Sequence, residues 1–418
     1  MNKRPFIILS AFLLLFSLIE KGQATETYRP ETSVAGFIQL PGSGRQVYNF
    51  NPGWRFFRGD VQGAEAVNFD DRSWNVVSTP HTVELMPAEG SGCRNYQGPA
   101  WYRKHFVLPA ETKGKRVVLH FEAAMGKQIL YLNGKRIQEH LGGYLPFTLD
   151  LTANGVQAGD SCLLAVFTDN SDDKSYPPGK RQYTLDFAYH GGIYRDVWMI
   201  AKSPVAITDA IDSQIVGGGG VFVHFDKISK KSAQVYVNTE VQNDDARSES
   251  VTVETTLTDA DGKVIKRSSG KLSLKPGEKK SICQQMEVKN PTLWSPDTPY
   301  LYRVQSRIKK GNKSIDGGIT RVGIRLAEFR GKDGFWLNGK PFGQLVGANR
   351  HQDFAYVGNA LPNSQQWRDA KRLRDAGCTI IRVAHYPQDP AFMDACDELG
   401  LFVIVATPGW QYWNKDPK

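Results

Sequence analysis

Cysteine is scarce in this chain. Five residues in 418 (Cys93, Cys162, Cys283, Cys378 and Cys396) form an odd, scattered set. That excludes the dense disulfide framework of small secreted domains and leaves room for an incidental bridge at most. Long apolar runs are equally rare. The one near the N-terminus, Phe6 to Ile19, covers 14 residues, short of the roughly 20 that a membrane-spanning helix needs, and no later segment replaces it. Lys3 and Arg4 precede this run, and the small residues Gly22 and Ala24 follow it. That order is the pattern of a secretory signal peptide over residues 1–24 and predicts an exported protein without a membrane span. No cysteine follows Ala24 directly, which argues against a lipid anchor there; the periplasm is the expected destination, with secretion or the cell surface as the alternative. Concentrated charge is also missing. The formal charge is +9, from 52 Lys and Arg against 43 Asp and Glu, and the first 24 residues account for two of the nine. The remainder is dispersed among short alternating segments, where lysine guards edges and turns. Without a basic helical face or a recognised motif, no nucleic-acid partner is expected.

What is present is an ordinary folded composition, 40 % hydrophobic and 23 % charged, with 9 Trp, 16 Tyr and 21 Phe. The length allows two to four domains at roughly 100 to 200 residues each. Residues 25–203 read as all-β, with short apolar runs broken by Gly, Pro, Asn and Asp. Strands are expected at Val117–Glu122, Gln128–Leu132 and Cys162–Thr168, with Asn133-Gly134 as a hairpin turn. A jelly roll or sandwich fits, with Trp54, Phe56, Trp74, Trp101 and Tyr102 filling its core. Residues 204–328 alternate with period 2, at Val235, Val237, Thr239 and Val241 and at Val251, Val253, Thr255 and Leu257. Turns at Asp259–Gly262 and Pro276-Gly277 suit an immunoglobulin-like sandwich that lacks its paired cysteines.

The pattern changes in residues 329–418. The apolar run Phe342–Val346 gives way to a helix capped by Asn363 or Ser364 and ended by Gly377, then a strand at Thr379–Ala384. Pro390 opens a second helix with Phe392, Met393, Cys396 and Leu399 on one face, Gly400 stops it, and Leu401–Val405 forms a third strand. This βαβα order predicts a parallel sheet. Three strands and two helices in the 84 residues from Phe335 to Lys418 cannot close an eight-stranded barrel of about 250 residues. An open sheet with a bare edge at Leu401–Val405 would be a poor soluble object, so the chain reads as the N-terminal part of a longer protein. Polar residues gather at the expected strand ends, Asn349, Arg350 and His351 after the first and His385 and Tyr386 after the second, which is where α/β folds keep their sites. No dedicated metal-ligand spacing is present, and no metal is expected there.

The two runs Gly347-Ala348-Asn349-Arg350-His351-Gln352-Asp353 and Arg382-Val383-Ala384-His385-Tyr386-Pro387, taken together, closely resemble glycoside hydrolase family 2. Asp397-Glu398-Leu399-Gly400-Leu401 and His190-Gly191-Gly192-Ile193-Tyr194-Arg195-Asp196-Val197-Trp198 extend the resemblance across the mature chain. It implies a jelly-roll β-sandwich, an immunoglobulin-like β-sandwich and then an incomplete TIM (β/α)8 barrel. It also implies a retaining exo-β-glycosidase with a carbohydrate substrate. Within the family the wording is most similar to β-galactosidases, with β-glucuronidase and β-mannosidase as alternatives; a non-catalytic carbohydrate-binding protein is the rival of another class.

By that resemblance His351 and His385 hydrogen-bond the terminal sugar, with Asn349 and Arg350 beside them. Asp196 reaches from the jelly roll into the barrel mouth, and Arg382 orients the nucleophilic carboxylate. The acid/base and nucleophilic glutamates would lie beyond Lys418, so no catalytic residue is expected in this chain and the chain alone should hydrolyse nothing. After the third strand Val405-Ala406-Thr407-Pro408-Gly409-Trp410 carries no carboxylate. A magnesium site of the β-galactosidase kind is therefore not expected on those positions; no cofactor is required by the sequence, and Mg or Na is left to the portion after Lys418. Trp410, Tyr412 and Trp413 either stack on a sugar face or cover the barrel rim. A homo-oligomer is compatible with all of this.

Overall fold

In the computed structural model, residues 38–87 and 95–407 are described. The chain begins with ten strands of a jelly roll: β1 (Gln46–Asn49), β2 (Trp54–Arg58), β3 (Asn75–Val77), β4 (Pro99–Val107), β5 (Arg116–Phe121), β6 (Lys127–Leu132), β7 (Lys135–Leu141), β8 (Phe147–Asp150), β9 (Ser161–Asp169) and β10 (Val197–Lys202). They form two antiparallel sheets, β1-β10-β5-β8 and β3-β2-β4-β9-β6-β7. Alternation along each strand decides what lies between the sheets. Trp54 and Phe56, Ala100 and Tyr102, Val117, Leu119 and Phe121, and Val197 and Met199 share one buried cluster. Each of the Val, Leu, Phe and Met side chains among them contributes about 1.5–3 kcal/mol by leaving water.

The same alternation sends Trp101 to the other face of the six-stranded sheet. There it joins Trp74, Ala64 and Ala165 in a smaller cluster instead of entering the main core. Lys104 lies on the inner parity, and its ammonium is satisfied by the carbonyls of Phe50 and Pro52 and by the Phe50 ring at 4.0 Å. At the β6–β7 hairpin, Asn133 and Gly134 have φ of 50° and 80°, the left-handed pair that a two-residue primed turn requires.

The second sandwich follows: β11 (Val205–Ile207), α1 (Ala210–Ser213), β12 (Val221–Asp226), β13 (Ser232–Asn243), β14 (Glu249–Thr258), β15 (Val264–Leu274), β16 (Lys279–Lys289), β17 (Tyr302–Lys310) and β18 (Lys313–Val322). One sheet is centred on β13, which pairs with β11, β12 and β16; the other runs β15-β14-β17-β18. Val235, Val237, Leu257 and Val304 are among the residues packed between them. Four of the chain's cysteines, Cys162, Cys283, Cys378 and Cys396, are free thiols, so this sandwich is held by packing.

A small antiparallel sheet of β19 (Ala327–Phe329), β20 (Phe335–Leu337) and β21 (Lys340–Pro341) leads to a parallel one. That sheet comprises β22 (Gly347–Arg350), β23 (Ile380–Val383) and β24 (Phe402–Val405), joined by α2 (Asn363–Asp375) and α3 (Pro390–Leu399). These are the opening strands and helices of a TIM barrel, right for the expected class. Asp389 caps α3 through the Ala391 amide, Pro390 stands at its first position, and Gly400 ends it in the left-handed region at φ 76°. Two details differ from the sequence expectation. The first parallel strand is Gly347–Arg350 and not the apolar run before it, which puts Asn349 and Arg350 inside a strand. The helix α2 has no side-chain cap, because its N-cap position is Pro362, which carries no acceptor, and Asn363 is already the first helical residue. No helix among the described residues is long and apolar enough to cross a membrane.

Candidate functional site

Parallel pairing decides which side chains share a face. Asn349, Arg382 and Ile404 are in register across β22, β23 and β24, as are Arg350, Val383 and Val405. Registered neighbours point to the same side. Val383 and Ile381 pack under the helices with Phe392 and Ala370; Arg350 follows Val383 to that side. Its guanidinium donates to Gln388, Gln366 and Asp369 and lies 4.0 Å from the Phe392 ring. The expected sugar contact at Arg350 is therefore corrected: this arginine fastens the strand to its helices, and its side chain is 6 % exposed. Asn349 is exposed, on the parity of Arg382.

His351 and His385 leave the C-terminal ends of β22 and β23 and meet with ring centroids 5.4 Å apart. Phe187, from the jelly-roll loop between β9 and β10, packs against both, at 5.3 Å from His351 and 5.7 Å from His385. Its neighbour Asp186 is the carboxylate that faces the histidines. Asp186, His351 and His385 present ligand atoms all within 4.8 Å of one another. Arg382 lies beside them, its Nη2 3.2 Å from His385 Nδ1. Because a guanidinium only donates, Nδ1 is the acceptor and the neutral ring carries its proton on Nε2. That Nε2 is 3.9 Å from Asp186 Oδ1, too far for a direct hydrogen bond and wide enough for a hydroxyl to bridge.

Burial lowers the pKa of both imidazoles, for His385 with help from the Arg382 charge and against the pull of Asp186, and for His351 against the pull of Asp353. Both rings therefore favour the neutral form; His385, whose Nδ1 accepts from Arg382, offers a donor at Nε2, while the exposed Asp186 carboxylate can accept from two vicinal hydroxyls. The same three groups are spaced to hold a cation, but the adjacent Arg382 charge opposes one, and the donor–acceptor mixture suits a polyol better.

Asp196 is not among these groups. Its carboxylate accepts from Asn51 Nδ2 at 2.8 Å and from Asn363 Nδ2 at 2.9 Å, buried where the jelly roll meets the start of α2. Burial, then the nearby Asp389, raises its pKa to about 6. The expectation that Asp196 overhangs the barrel mouth is corrected: it ties the domains together, and its neighbour Arg195 does the same. Arg195 does not pair with Asp196; it donates to Gln352 Oε1 and to the Pro387 carbonyl, both at 2.8 Å, so one jelly-roll side chain holds the loops that follow β22 and β23. Tyr144 stacks on Tyr386 at 4.1 Å and completes an apolar seam with Tyr189, Tyr194 and Ala360. Asp186, Phe187 and Tyr144 escaped the sequence reading. The one available signal was that an acid stands beside an aromatic shortly before the His190–Trp198 run. Trp410, Tyr412 and Trp413 lie outside the described residues.

The comparisons address the domains and their order. Residues 57–204 match the family description "Glycosyl hydrolases family 2, sugar binding domain", residues 219–325 match "Glycosyl hydrolases family 2", and residues 329–413 match "Glycosyl hydrolases family 2, TIM barrel domain". A β-galactosidase of Thermoanaerobacter pseudethanolicus is 35 % identical over 88 % of this chain and 47 % of its own length. A β-glucuronidase of Formosa agariphila is 32 % identical over 88 % of this chain and 38 % of its own. The crystal structure of a Bacteroides uniformis β-glucuronidase superposes with a TM-score of 0.79 at 31 % identity, covering 89 % of this chain and 43 % of that one. The chain thus spans less than half the length of each of these three relatives. With three of the family's domains in their order, the chain belongs to glycoside hydrolase family 2.

Proposed function

We propose that this chain supplies the sugar-gripping half of an exported retaining exo-β-glycosidase, with a terminal β-galactoside as its first substrate. The observation that carries this is the convergence of Asp186 from the jelly roll with His351 and His385 from two barrel strands. An exo-enzyme must hold one sugar's hydroxyls before any bond breaks, and an acceptor carboxylate between two neutral imidazoles does so. The reaction also needs two carboxylic acids about 5–5.5 Å apart, one to protonate the leaving oxygen and one to attack the anomeric carbon. We assign both to chain beyond Lys418, with Arg382 placed to hold the attacking carboxylate ionised. Export rests on the charged and apolar pattern of the first 24 residues.

A β-glucuronidase is the second reading, favoured by the fixed Arg382 charge beside His385, which could also meet a sugar carboxylate. The test is hydrolysis of chromogenic β-galactoside, β-glucuronide and β-mannoside by the gene product with its complete barrel, alongside Asp186→Asn. Asparagine keeps one acceptor oxygen, and hydrogen bonds to a charged group are worth about 1.5–3 kcal/mol each, so losing one predicts a fall in kcat/KM of at least about 10-fold on the preferred glycoside. Preference for mannosides alone, or an Asp186→Asn enzyme of wild-type activity, would defeat this reading.

A further inference from the structure

A cleft of about 330 Å³ lies where the jelly roll, the immunoglobulin-like sandwich and the start of α3 meet. The jelly roll contributes the outer face of its β1-β10-β5-β8 sheet. Val197, Met199 and Ala201 of β10 point into the core, so Ile200 and Lys202 point out, and His120 of β5 does the same. The second sandwich supplies Ile207, Ile211 and Ile319, and α3 supplies Pro390. Small-molecule sites are of this size and favour domain junctions. The described lining includes none of Asp186, His351 and His385.

The walls are mainly carbon, and the group left short of partners is Lys202. It is 7 % exposed. Its ammonium brings three donors, yet among the described residues it makes one hydrogen bond, to the Ile207 carbonyl at 3.0 Å. Burial lowers its pKa to about 8; Arg45 opposes its charge more than Asp316 supports it, and Arg116 more than Asp209. The acids around it are already engaged. Asp316 accepts from Arg45 Nε and Nη2 and from the Ile207 amide, all at 2.8 Å. Asp209 accepts from the Ile211 amide at 2.8 Å and lies 3.3 Å from His120 Nδ1. Arg116 holds both Asp150 and Asp244.

That inventory selects the occupant. A buried ammonium without a dedicated counter-charge is costly, and a ligand that brought the counter-charge would offset the cost; a cation would add to it. One such positive charge matches a monoanion. Carbon walls match an organic body and give a hydrated inorganic ion nothing in exchange for its water. We propose that this cleft binds a small organic carboxylate, with the carboxylate on Lys202 Nζ and the carbon body against Ile200, Ile207 and Ile319. Uronic acids and short aliphatic acids share this chemistry, and the test separates them. The site uses no barrel residue beyond Pro390, so it stands whether or not the glycosidase reading does.

The test is isothermal titration calorimetry of the full chain with galacturonate and with butyrate, against galactose and butyramide as their neutral counterparts and against inorganic phosphate. At least one carboxylate is expected to bind about tenfold or more tighter than its neutral counterpart and than phosphate. Lys202→Met should abolish that binding. Ile211→Trp fills the cleft from a position 43 % exposed and leaves the ammonium in place; it should weaken binding about tenfold. Reductive methylation of Lys202, followed on its peptide by mass spectrometry, should slow severalfold in the presence of the bound acid. The proposal is overturned if neither carboxylate binds, if a neutral counterpart or phosphate binds as tightly, if a folded Lys202→Met chain binds as wild type, or if Lys202 is methylated at the same rate with and without the acid. Should Lys202→Met fail to fold, Ile211→Trp and the methylation rate decide. Galacturonate bound by Lys202→Met as by wild type, but lost from Asp186→Asn, would occupy the barrel mouth and would likewise defeat the assignment.

Discussion

Asp196→Asn gives the sharpest test of the domain junction, because the carboxylate at its centre sits in an environment that disfavours its own charge. Its pKa is raised from 3.8 to about 6, by burial first and then by Asp389, against the hydrogen bonds from Asn51 and Asn363. Glu122 and Asp389 are buried in the same neighbourhood and are likewise pushed up, chiefly by burial. A carboxyl that holds its proton more tightly when folded adds stability that is fully present below pH 3.8 and is lost as the pH rises through 6. About two pH units at 1.36 kcal/mol each give about 3 kcal/mol over the full range, of which about 1–2 kcal/mol falls between pH 5 and pH 8.

An asparagine has the same shape and does not titrate, and it sacrifices one of the two hydrogen bonds at about 1 kcal/mol. The stability of Asp196→Asn relative to wild type should therefore improve by about 1–2 kcal/mol on going from pH 5 to pH 8, read from urea unfolding at a series of pH values. Unfolding free energies that stay parallel across that range would refute the assignment of Asp196 to a buried, charge-averse junction. They would restore it as a solvated carboxylate of the mouth.

Arg195→Met should destabilise the contact between the jelly roll and the barrel strands by about 1–3 kcal/mol, since it leaves the Pro387 carbonyl without its Arg195 donor and Gln352 Oε1 with the Asp389 amide alone; limited proteolysis across the loops after β22 and β23 would reveal it as faster cleavage. Gly358→Ala combines an unfavourable φ of 52° with a Cβ that would lie 2.5 Å from His190 Nδ1, so the melting temperature should fall by several degrees, and an unchanged value would mean that this loop is packed otherwise. Arg350→Met should lower stability by about 3 kcal/mol through the loss of its bonds to Gln388, Gln366 and Asp369, with its effect in melting curves and not in KM. A raised KM at full stability would return Arg350 to the sugar site.

Strands, hairpins and helix ends were legible because local chemistry decides them. Period-2 runs gave β13 and β14, Asn133-Gly134 gave the primed turn, and Pro390 with Gly400 bracketed α3, whose cap at Asp389 the structure added. The two histidines were legible because they stand at strand ends within distinctive runs. Arg350 was misread because the strand begins five residues later than the apolar run suggested, and a residue's face depends on its parity in the strand actually formed. Asn363 was read as a cap, yet its amide meets Asp196 across a domain boundary.

Sequence by itself determined the order of domains, the alternation that fills each core and the imidazoles at the strand ends, all of which follow from neighbours a few residues apart. Tertiary structure alone decided which jelly-roll aspartate faces them. Asp186 and Asp196 lie ten residues apart on the same strand approach, and no local periodicity distinguishes them. Docking separates them: Arg195 and the Tyr144–Tyr386 stack press the loop onto the barrel, burying Asp196 at the seam and leaving Asp186 exposed over the open end.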